Sequence, residues 1–355
     1  MKKNYIQSSE KAKVRDSNIE LLRIVAMLLV LIVHANFLSI DPPSQAEILS
    51  CPLSSFLRSL SESLSIICVN LFILISGWYG IRPRLPRFAA LVFQVLFIGL
   101  SVYLILFSLG KVESWKITDW IDFITMKKVN WFVACYIMLY ICAPVLNVFC
   151  ENVSQSFFRK FIIVYFAVEL FYVHERFIAN GCSPLSFAGL YLLARYAKMY
   201  PNRLTSLSRK SDIAIYFLTA FLTTVLSIVH TIYTGRNDGT FYGYSSPLVI
   251  VGAFYFFLFF TKVNIRNRVI NWVAASSFAV YLFHINTLFF DTYYLATIRR
   301  WFSIDSTPLF IAKTLLFIVC VFTFSIFLDK IRLLFWNVFT RLFLRCKSCI
   351  ISPNT

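Results

Sequence analysis

Runs of apolar residues, each about as long as a membrane-spanning helix, recur along this chain and constrain its fold more than any other feature. An α-helix needs about 20 predominantly apolar residues to cross the hydrocarbon core of a bilayer. Windows of that length give roughly ten spans. They cover residues 18–39, 60–80, 87–109, 130–149, 158–174, 184–200, 212–233, 246–262, 272–294 and 308–329. The sequence therefore predicts an all-α, polytopic membrane helical bundle of about ten transmembrane helices.

The composition excludes a soluble globular protein. Only 14% of the residues are charged and 59% are hydrophobic, whereas a soluble domain carries about 25% charged residues. A membrane β-barrel would show short alternating segments of about ten residues, and these runs are continuous. The first seventeen residues are polar and basic, and the apolar run after them has the length of a span, so no cleavable signal peptide is expected.

The Lys and Arg residues predict how the bundle is oriented. If the N-terminus is cytoplasmic, most of the 34 basic residues fall on the cytoplasmic side, as the positive-inside rule requires. We therefore expect an N-in/C-in protein with an even number of spans. The net charge of +17 is then mainly a topology signal, reinforced by contact with anionic membrane lipids. Nucleic-acid binding is not expected, because no soluble basic domain is present.

The chain divides into one membrane domain and two basic tails. Residues 1–17 are expected to form a cytoplasmic tail, residues 18–330 the transmembrane domain, and residues 331–355 a C-terminal tail at the membrane interface. The tail sequence IRLLFWNVFTRLFLRCK, residues 331–347, alternates aromatic and basic positions at helical spacing, which is typical of an interfacial helix.

Most of the nine cysteines lie inside apolar segments, where Cys behaves as a small hydrophobe. Cys51 and Cys182 fall in loops expected on the outer side, which leaves a disulfide between them open. Cys346 and Cys349 form a lone C-x-x-C in the basic tail. Without a second pair of Cys or His residues, no metal site is predicted there.

Two ionisable residues stand out in the first span, LLRIVAMLLVLIVHANF. Arg23 and His34 are eleven residues apart, so a helix places them on one face with about 16 Å between them along its axis. Intramembrane ionisable groups usually mark a functional site. A neutral His is suited to be a general base, and Arg is a permanent cation that anchors phosphate or carboxylate. In the alternative interpretation Arg23 snorkels to the membrane surface and His34 packs neutral against a neighbour.

The pattern of these residues resembles that of the acyltransferase 3 family. Members of this family are bacterial membrane O-acyltransferases that modify cell-surface glycans. The Arg-x10-His pattern of the first span is similar to the family signature. The segment VNLFILISGWYGIRPRLPRF, residues 69–88, resembles the family's F-x-x-S-G-[YF] segment. Residues 276–290, SSFAVYLFHINTLFF, resemble its late S-x-x-x-Y-L-x-H segment, and WFVACYIMLYICAPVLN, residues 131–147, its W-[FY] helix. The resemblance extends over residues 16–330.

The resemblance implies roles for individual residues. His34 would be the catalytic histidine and Arg23 its partner arginine. Arg84 and Arg87 are the nearest match to an Arg-x-x-Arg pattern that many relatives carry after a longer insert. Together with Arg82 they would bind the phosphates of the acyl donor. The alternative for these three arginines is the positive-inside rule alone.

Further residues are candidates for support of the site. Glu20, three residues before Arg23, is expected to form an ion pair with it. Ser76 and Gly77, near the end of the second span, permit close approach of another backbone, for packing or for a functional cavity.

The late segment supplies a second intramembrane imidazole. Tyr281 and His284 are three residues apart and share a helix face. His284 either contacts substrate or is a structural residue whose hydrogen bonds are satisfied within the protein. Glu62 and Asp291, near the outer ends of their spans, are candidates to orient His34 or His284.

The functional prediction is transfer of an acyl group, most simply acetyl, from cytoplasmic acyl-CoA to a hydroxyl of a lipid-linked or surface glycan. The partners would be membrane lipids, acyl-CoA as co-substrate and the glycan acceptor, with no bound cofactor or metal. The location would be the bacterial inner (cytoplasmic) membrane. The alternative is a transporter or flippase for a polar or lipid-linked solute, although no repeated halves are visible.

Overall fold

The computed structural model describes residues 16–127, 129–237 and 239–351. The predicted cytoplasmic tail, residues 1–17, lies almost wholly outside this range. All regular structure in the described ranges is helical, without a strand. The α-helices are α1 (Ser17–Ala35), α2 (Phe37–Ile40), α3 (Gln45–Ser50), α4 (Pro52–Ser65), α5 (Cys68–Tyr79), α6 (Leu85–Ser108), α7 (Ile117–Ile124), α8 (Trp131–Asn152), α9 (Gln155–Phe171), α10 (Pro184–Met199), α11 (Arg209–Thr234), α12 (Pro247–Thr261), α13 (Arg268–Ala274), α14 (Ser277–His284), α15 (Ala296–Ile304) and α16 (Thr307–Ile351).

Seven helical stretches of the described chain are long and apolar enough to cross a membrane. They are Ser17–Ile40, Pro52–Tyr79, Leu85–Ser108, Trp131–Asn152, Arg209–Thr234, Thr240–Thr261 and Thr307–Val338. The predicted all-α bundle is therefore confirmed, but the predicted count of about ten spans is not. Helices α9 and α10, the predicted fifth and sixth spans, have 17 and 16 residues, short of the usual length of a span.

The span predicted at residues 272–294 is broken in the structure. It is divided into α13, α14 and a π-helix at Phe290–Leu295 that continues into α15. Asn286 ends α14 because its side-chain Oδ1 accepts from the Leu288 N–H at 3.0 Å, and its carbonyl accepts from Phe289 and Phe290 N–H at 2.8 Å. At this point hydrogen bonds to Asn286 take the place of the backbone hydrogen bonds that would continue the helix.

Helix α1 lies in the middle of the bundle and packs against α4, α5, α12, α13, α14 and α16. Its residues Leu22, Ala26, Met27 and Leu31 are at most 1% exposed. A helix that packs against six others can place polar side chains against protein instead of against lipid. This position explains why α1 tolerates Glu20, Arg23 and His34.

The bundle has two ends that are distinguished by the start and the finish of α1. We name the end where α1 begins the proximal end; there Tyr79 Oη donates to Asp16 Oδ2 at 3.0 Å and Asn18 Nδ2 donates to the Phe260 carbonyl at 2.9 Å. We name the opposite end, where α1 finishes, the distal end. At this end Tyr294 Oη donates to the Leu31 carbonyl at 2.8 Å.

The C-terminal segment continues the last span without a break. Helix α16 extends from Thr307 to Ile351, so the predicted boundary at residue 330 is not marked in the backbone. Arg332 is 5% exposed and donates to both oxygens of Asp329, at 2.6 and 3.2 Å, while Gln94 Nε2 donates to Asp329 Oδ1 at 2.9 Å. The interfacial location of residues 331–355 stays a prediction.

Candidate active site

Two histidines that are 250 residues apart in sequence meet at the distal end. His34 lies in the last turn of α1, and His284 is the last residue of α14. His34 Nδ1 and His284 Nε2 are 2.8 Å apart, within hydrogen-bonding distance. His284 is fully buried, whereas His34 keeps part of its surface accessible. The two imidazoles that the sequence singles out in separate segments therefore form one pair.

The second nitrogen of His284 fixes which atoms carry protons. His284 Nδ1 is 2.7 Å from the carbonyl oxygen of Val280, and a carbonyl can only accept, so Nδ1 carries the proton. In the neutral ring His284 Nε2 is then an acceptor, and His34 Nδ1–H must be the donor to it. A neutral His34 is left with its lone pair on Nε2. This assignment follows from the hydrogen-bond partners.

Aromatic side chains enclose the histidine pair. The ring of Phe290 meets His34 edge-on at 5.2 Å, and Tyr294 and Tyr281 lie 5.6 and 5.8 Å from the His284 ring. Such surroundings restrict both imidazoles to one orientation. They also make a full positive charge costly unless a substrate or a transition state compensates it.

Arg23 lies toward the proximal end of the same helix. Its Nη1 donates to Glu20 Oε1 at 2.9 Å, so the expected ion pair is present. The Arg23 side chain is 37% exposed, and the Glu20 side chain is 7% exposed. Arg23 and His34 do not contact each other; the eleven-residue separation leaves about 16 Å of helix axis between them.

The loop between α5 and α6 and the first turn of α6 present three exposed arginines at the proximal end: Arg82, Arg84 and Arg87. Within the described ranges none of the three has an acidic partner. We refer to residues 80–87 as the basic loop. Unpaired guanidinium groups on a fixed backbone are suited to bind anions.

Hydrogen bonds from α8 and α10 hold the backbone of the basic loop. The Ile81 N–H donates to Tyr191 Oη at 3.0 Å, and Asn147 Nδ2 donates to the Ile81 carbonyl at 2.8 Å. The Arg84 N–H donates to Tyr140 Oη at 2.8 Å. The loop is thus anchored to two helices in addition to the stiffness that its two prolines supply.

One cavity lies at each end of the bundle. The distal cavity has a volume of about 260 Å³ and is formed by α6, α7, the start of α8 and the segment that follows α14. The proximal cavity has a volume of about 540 Å³ and lies between the start of α1, the end of α5 and the loop after α12. Trp78, Tyr79, Lys262 and Arg266 contribute to the lining of the proximal cavity.

The histidine pair, the arginine on the same helix and the basic loop all lie within the region that a known family covers. A family model described as an acyltransferase domain, acyltransferase 3, matches residues 16–329. The chain belongs to the acyltransferase 3 family. It has no significant match among curated proteins or solved structures. Membership and the apolar helices together make it an integral-membrane acyltransferase.

Neither carboxylate that was considered to orient a histidine in this acyltransferase does so. Glu62 Oε2 accepts from Asn36 Nδ2 at 2.9 Å, and Asp291 is exposed in the π-helix. Glu62 instead fixes the residue at which α1 ends, two positions after His34. The group that orients His34 is the second histidine, because a hydrogen bond is made there and not to a carboxylate.

Ser76 and Gly77 of the acyltransferase make packing contacts. Ser76 Oγ donates to the Phe72 carbonyl at 2.8 Å. A Cβ added at Gly77 would lie 2.4 Å from the Tyr191 carbonyl oxygen, so α5 and α10 approach as closely as only Gly allows. The Ser-Gly motif therefore brings together the two helices that carry and anchor the basic loop.

Tyr281 reaches a residue that the sequence did not single out. Its hydroxyl donates to Oδ1 of Asn130, the N-cap of α8, whose Oδ1 also accepts from the Phe132 N–H at 3.0 Å. The local signal was present, since Asn before a long apolar run is a typical helix start. The contact with Tyr281 was not visible, because it joins distant segments.

The structure also places the cysteines and the residues that could bind a metal. Cys51 and Cys182 are both free thiols, so the disulfide left open between them does not form here. In the part of the chain that the structure describes, no group of three or more His, Cys, Asp or Glu residues is arranged to hold a metal ion. The C-x-x-C at Cys346 and Cys349 lies where side chains are not described.

Proposed function

We propose that this acyltransferase is an O-acyltransferase, and specifically an O-acetyltransferase, of the bacterial cytoplasmic membrane. It would transfer the acyl group of cytoplasmic acyl-CoA to a hydroxyl of a cell-surface or lipid-linked glycan, with both termini in the cytoplasm. The observation that carries the proposal is the histidine pair, because the bond to His284 leaves His34 Nε2 as a base at a fixed position.

In the proposed step, His34 Nε2 takes the proton of the acceptor hydroxyl while that oxygen attacks the thioester carbonyl. The tetrahedral intermediate collapses with cleavage of the carbon–sulfur bond. The CoA thiolate leaves and receives the proton from His34, which restores the neutral ring. A general base typically contributes about 10²- to 10⁴-fold to the rate. Positioning of the two substrates supplies a large further part.

His284 would act through His34. When His34 becomes an imidazolium, its Nδ1–H still donates to His284 Nε2, and this charge-assisted bond is stronger than the neutral one. The hydrogen bond therefore stabilises the imidazolium of the intermediate more than it stabilises the neutral ring. His284 is then a positioning residue, and His34 is the catalytic one.

The donor would bind from the proximal end. CoA carries several phosphates, and the exposed guanidinium groups of Arg82, Arg84 and Arg87 are suited to them. Arg23 would supply a further fixed cation. CoA is a long molecule with its phosphates at one end and the thioester at the end of a flexible arm. A donor held by its phosphates at the proximal end would direct the thioester along α1 toward His34.

The test is transfer of labelled acetate from acetyl-CoA to glycan in membranes that contain the full chain. We expect incorporation with the wild type and a loss of about 10²-fold or more in His34→Ala and His34→Gln. His230→Ala is the matched control, because His230 lies in α11 and contacts Phe241 instead of the pair. Incorporation that persists in both His34 variants would refute the catalytic assignment. Failure of glycan export with intact acetylation would favour a transporter.

A further inference from the structure

The distal cavity lies against the helix that carries His284. Leu282, Ile285 and Asn286, which flank His284 in sequence, are part of its lining. Another lining residue, Asn130, accepts a hydrogen bond from the hydroxyl of Tyr281. The Tyr281 ring is 5.8 Å from the His284 ring. The cavity and the histidine pair therefore share the wall that α14 forms.

One wall of the distal cavity is aromatic and rigid. Trp115 stacks on Tyr103 with ring centroids 4.0 Å apart, and Trp120 meets it edge-on at 4.9 Å. The backbone N–H of Trp115 donates to Tyr103 Oη at 3.1 Å. Gly99 lets α7 approach α6, since a Cβ there would lie 2.8 Å from the Phe123 ring. A flat apolar ring held in this way offers a surface for the C–H face of a sugar.

The polar side chains of the lining present hydrogen-bond acceptors and donors. Asp119 and Asp122 are three residues apart on α7 and share one face. Asn130 and Asn286 use their Oδ1 atoms for the N–H groups of Phe132 and Leu288, both at 3.0 Å. Their amide nitrogens have no acceptor in the described ranges of the chain, so the cavity combines carboxylate acceptors with amide donors.

We propose that the distal cavity binds a neutral saccharide unit of the acceptor glycan. The proposal rests on the proposed function, to which it adds the acceptor class and the acceptor site. Vicinal hydroxyls of a sugar both donate and accept, which matches carboxylates placed beside amide groups.

The charges of the cavity select against acidic sugars. The lining contains two aspartates and neither Lys nor Arg. Lys127 lies beside the lining, with its Nζ 3.5 Å from Asp122 Oδ1, and its side chain is 74% exposed. A uronic acid in the cavity would place a third carboxylate among described lining residues that include no cation, which discriminates against that ligand.

Binding is tested on the purified full chain in lipid nanodiscs, without a donor. The probes are methyl glycosides of a neutral hexose, of an N-acetylhexosamine and of a hexuronic acid, followed by tryptophan fluorescence and calorimetry. We expect the two neutral glycosides to bind, and the hexuronide to bind about tenfold more weakly or not at all. Trp115→Phe and Asp119→Asn should each weaken the binding of the neutral glycosides about tenfold.

Glu113→Gln is the matched control, because Glu113 is exposed in the same connection but does not line the cavity. Equal binding of the hexuronide, or unchanged binding by both cavity variants, would overturn the proposal.

Kinetics separate this proposal from the proposed function. In the transfer assay Asp119→Asn should raise the KM for the glycan about tenfold and leave the KM for acetyl-CoA unchanged. If wild-type membranes transfer acetate but Asp119→Asn and Trp115→Phe keep the wild-type KM for the glycan, only the acceptor site is wrong. If no transfer occurs while neutral glycosides still bind in a Trp115-dependent manner, the acceptor site stands and the enzymatic proposal fails.

Discussion

Orientation of His34 by another imidazole has consequences that orientation by a carboxylate would not have. His284 Nε2 is a neutral acceptor, so it fixes the His34 tautomer without holding a negative charge in an apolar site. A buried carboxylate would require a compensating partner when His34 is neutral. The histidine pair avoids that cost, and in the proposed mechanism His34 is neutral between turnovers.

Substitution of His284 should separate orientation of the base from the base itself. In His284→Ala, His34 loses its Nδ1 acceptor, and we expect kcat to fall about 10- to 10²-fold with little change in either KM. In His284→Gln the side-chain oxygen can accept the same proton, so most of the activity should return. The measurement is steady-state transfer from acetyl-CoA to glycan.

Because His284 is buried, both variants also need a thermal unfolding measurement in detergent. Equal unfolding temperatures for His284→Ala and His284→Gln, with restored kcat only in the latter, would establish orientation as its role. A kcat that is equally low in two well-folded variants would contradict that role.

At this scale the sequence predicted the residues and the ion pair within α1, but not the contacts between helices. Arg23, His34 and Glu20 were identified because they lie on one helix, where spacing determines geometry. The contact of His34 with His284 spans 250 residues. No local pattern contains it, and for the same reason the sequence could not choose between Glu62 and Asp291 as candidates to orient His34 or His284. The distal cavity was missed because its lining comes from three separate segments, residues 95–99, 115–133 and 282–288.

Among the elements, apolar length identified the long helices and failed where a polar residue interrupts an apolar run. Residues 272–294 have the composition of a span, but Asn286 terminates α14. This break ends α14 at His284 and leaves the following segment to line the distal cavity. The mean composition of a window of about 20 residues does not show the effect of one polar residue.

The crossing of α5 and α10 should tolerate no side chain larger than Gly at position 77. In Gly77→Ala the new methyl group would lie 2.4 Å from the Tyr191 carbonyl, so the helices must move apart, at a cost of about 1–3 kcal/mol. Thermal unfolding of the purified protein measures the loss. Gly243→Ala is the control, because its Cβ would meet its neighbours at an ordinary 3.4 Å. Equal unfolding temperatures for the two variants would contradict the predicted close packing.

The basic loop should contribute to donor affinity and not to chemistry. In Arg84→Gln and Arg87→Gln we expect the KM for acetyl-CoA to rise about 3- to 10-fold each, with kcat and the KM for glycan nearly unchanged. The loss should shrink at high salt, since exposed charges are screened. Arg203→Gln, an exposed arginine outside the loop, is the control. If the basic loop only sets the orientation of the protein in the membrane, the KM for acetyl-CoA will stay at the wild-type value in both variants.

In the whole molecule, the cationic residues and the histidine pair lie toward opposite ends of α1. The basic loop and Arg23 lie toward the proximal end, and the histidine pair and the distal cavity lie toward the other. If donor and acceptor are taken up from opposite ends, the acyl group crosses most of the membrane within the protein. The orientation of the bundle then decides which compartment supplies which substrate, and the excess of basic residues predicts that the proximal end is cytoplasmic.

Cysteine accessibility measures that orientation directly. Cys51 is an exposed free thiol between α3 and α4 at the distal end. A variant that keeps only Cys51 is compared with a cysteine-free chain that carries Arg82→Cys in the basic loop. We expect a membrane-impermeant maleimide to label Cys51 in right-side-out membrane vesicles and to label the Arg82→Cys chain only in inverted ones. Both variants must retain glycan acetylation, which ensures that the labelled molecules are folded. The opposite labelling pattern would place the basic loop outside the cytoplasm, where acyl-CoA is not supplied, and would refute the proposed direction of transfer.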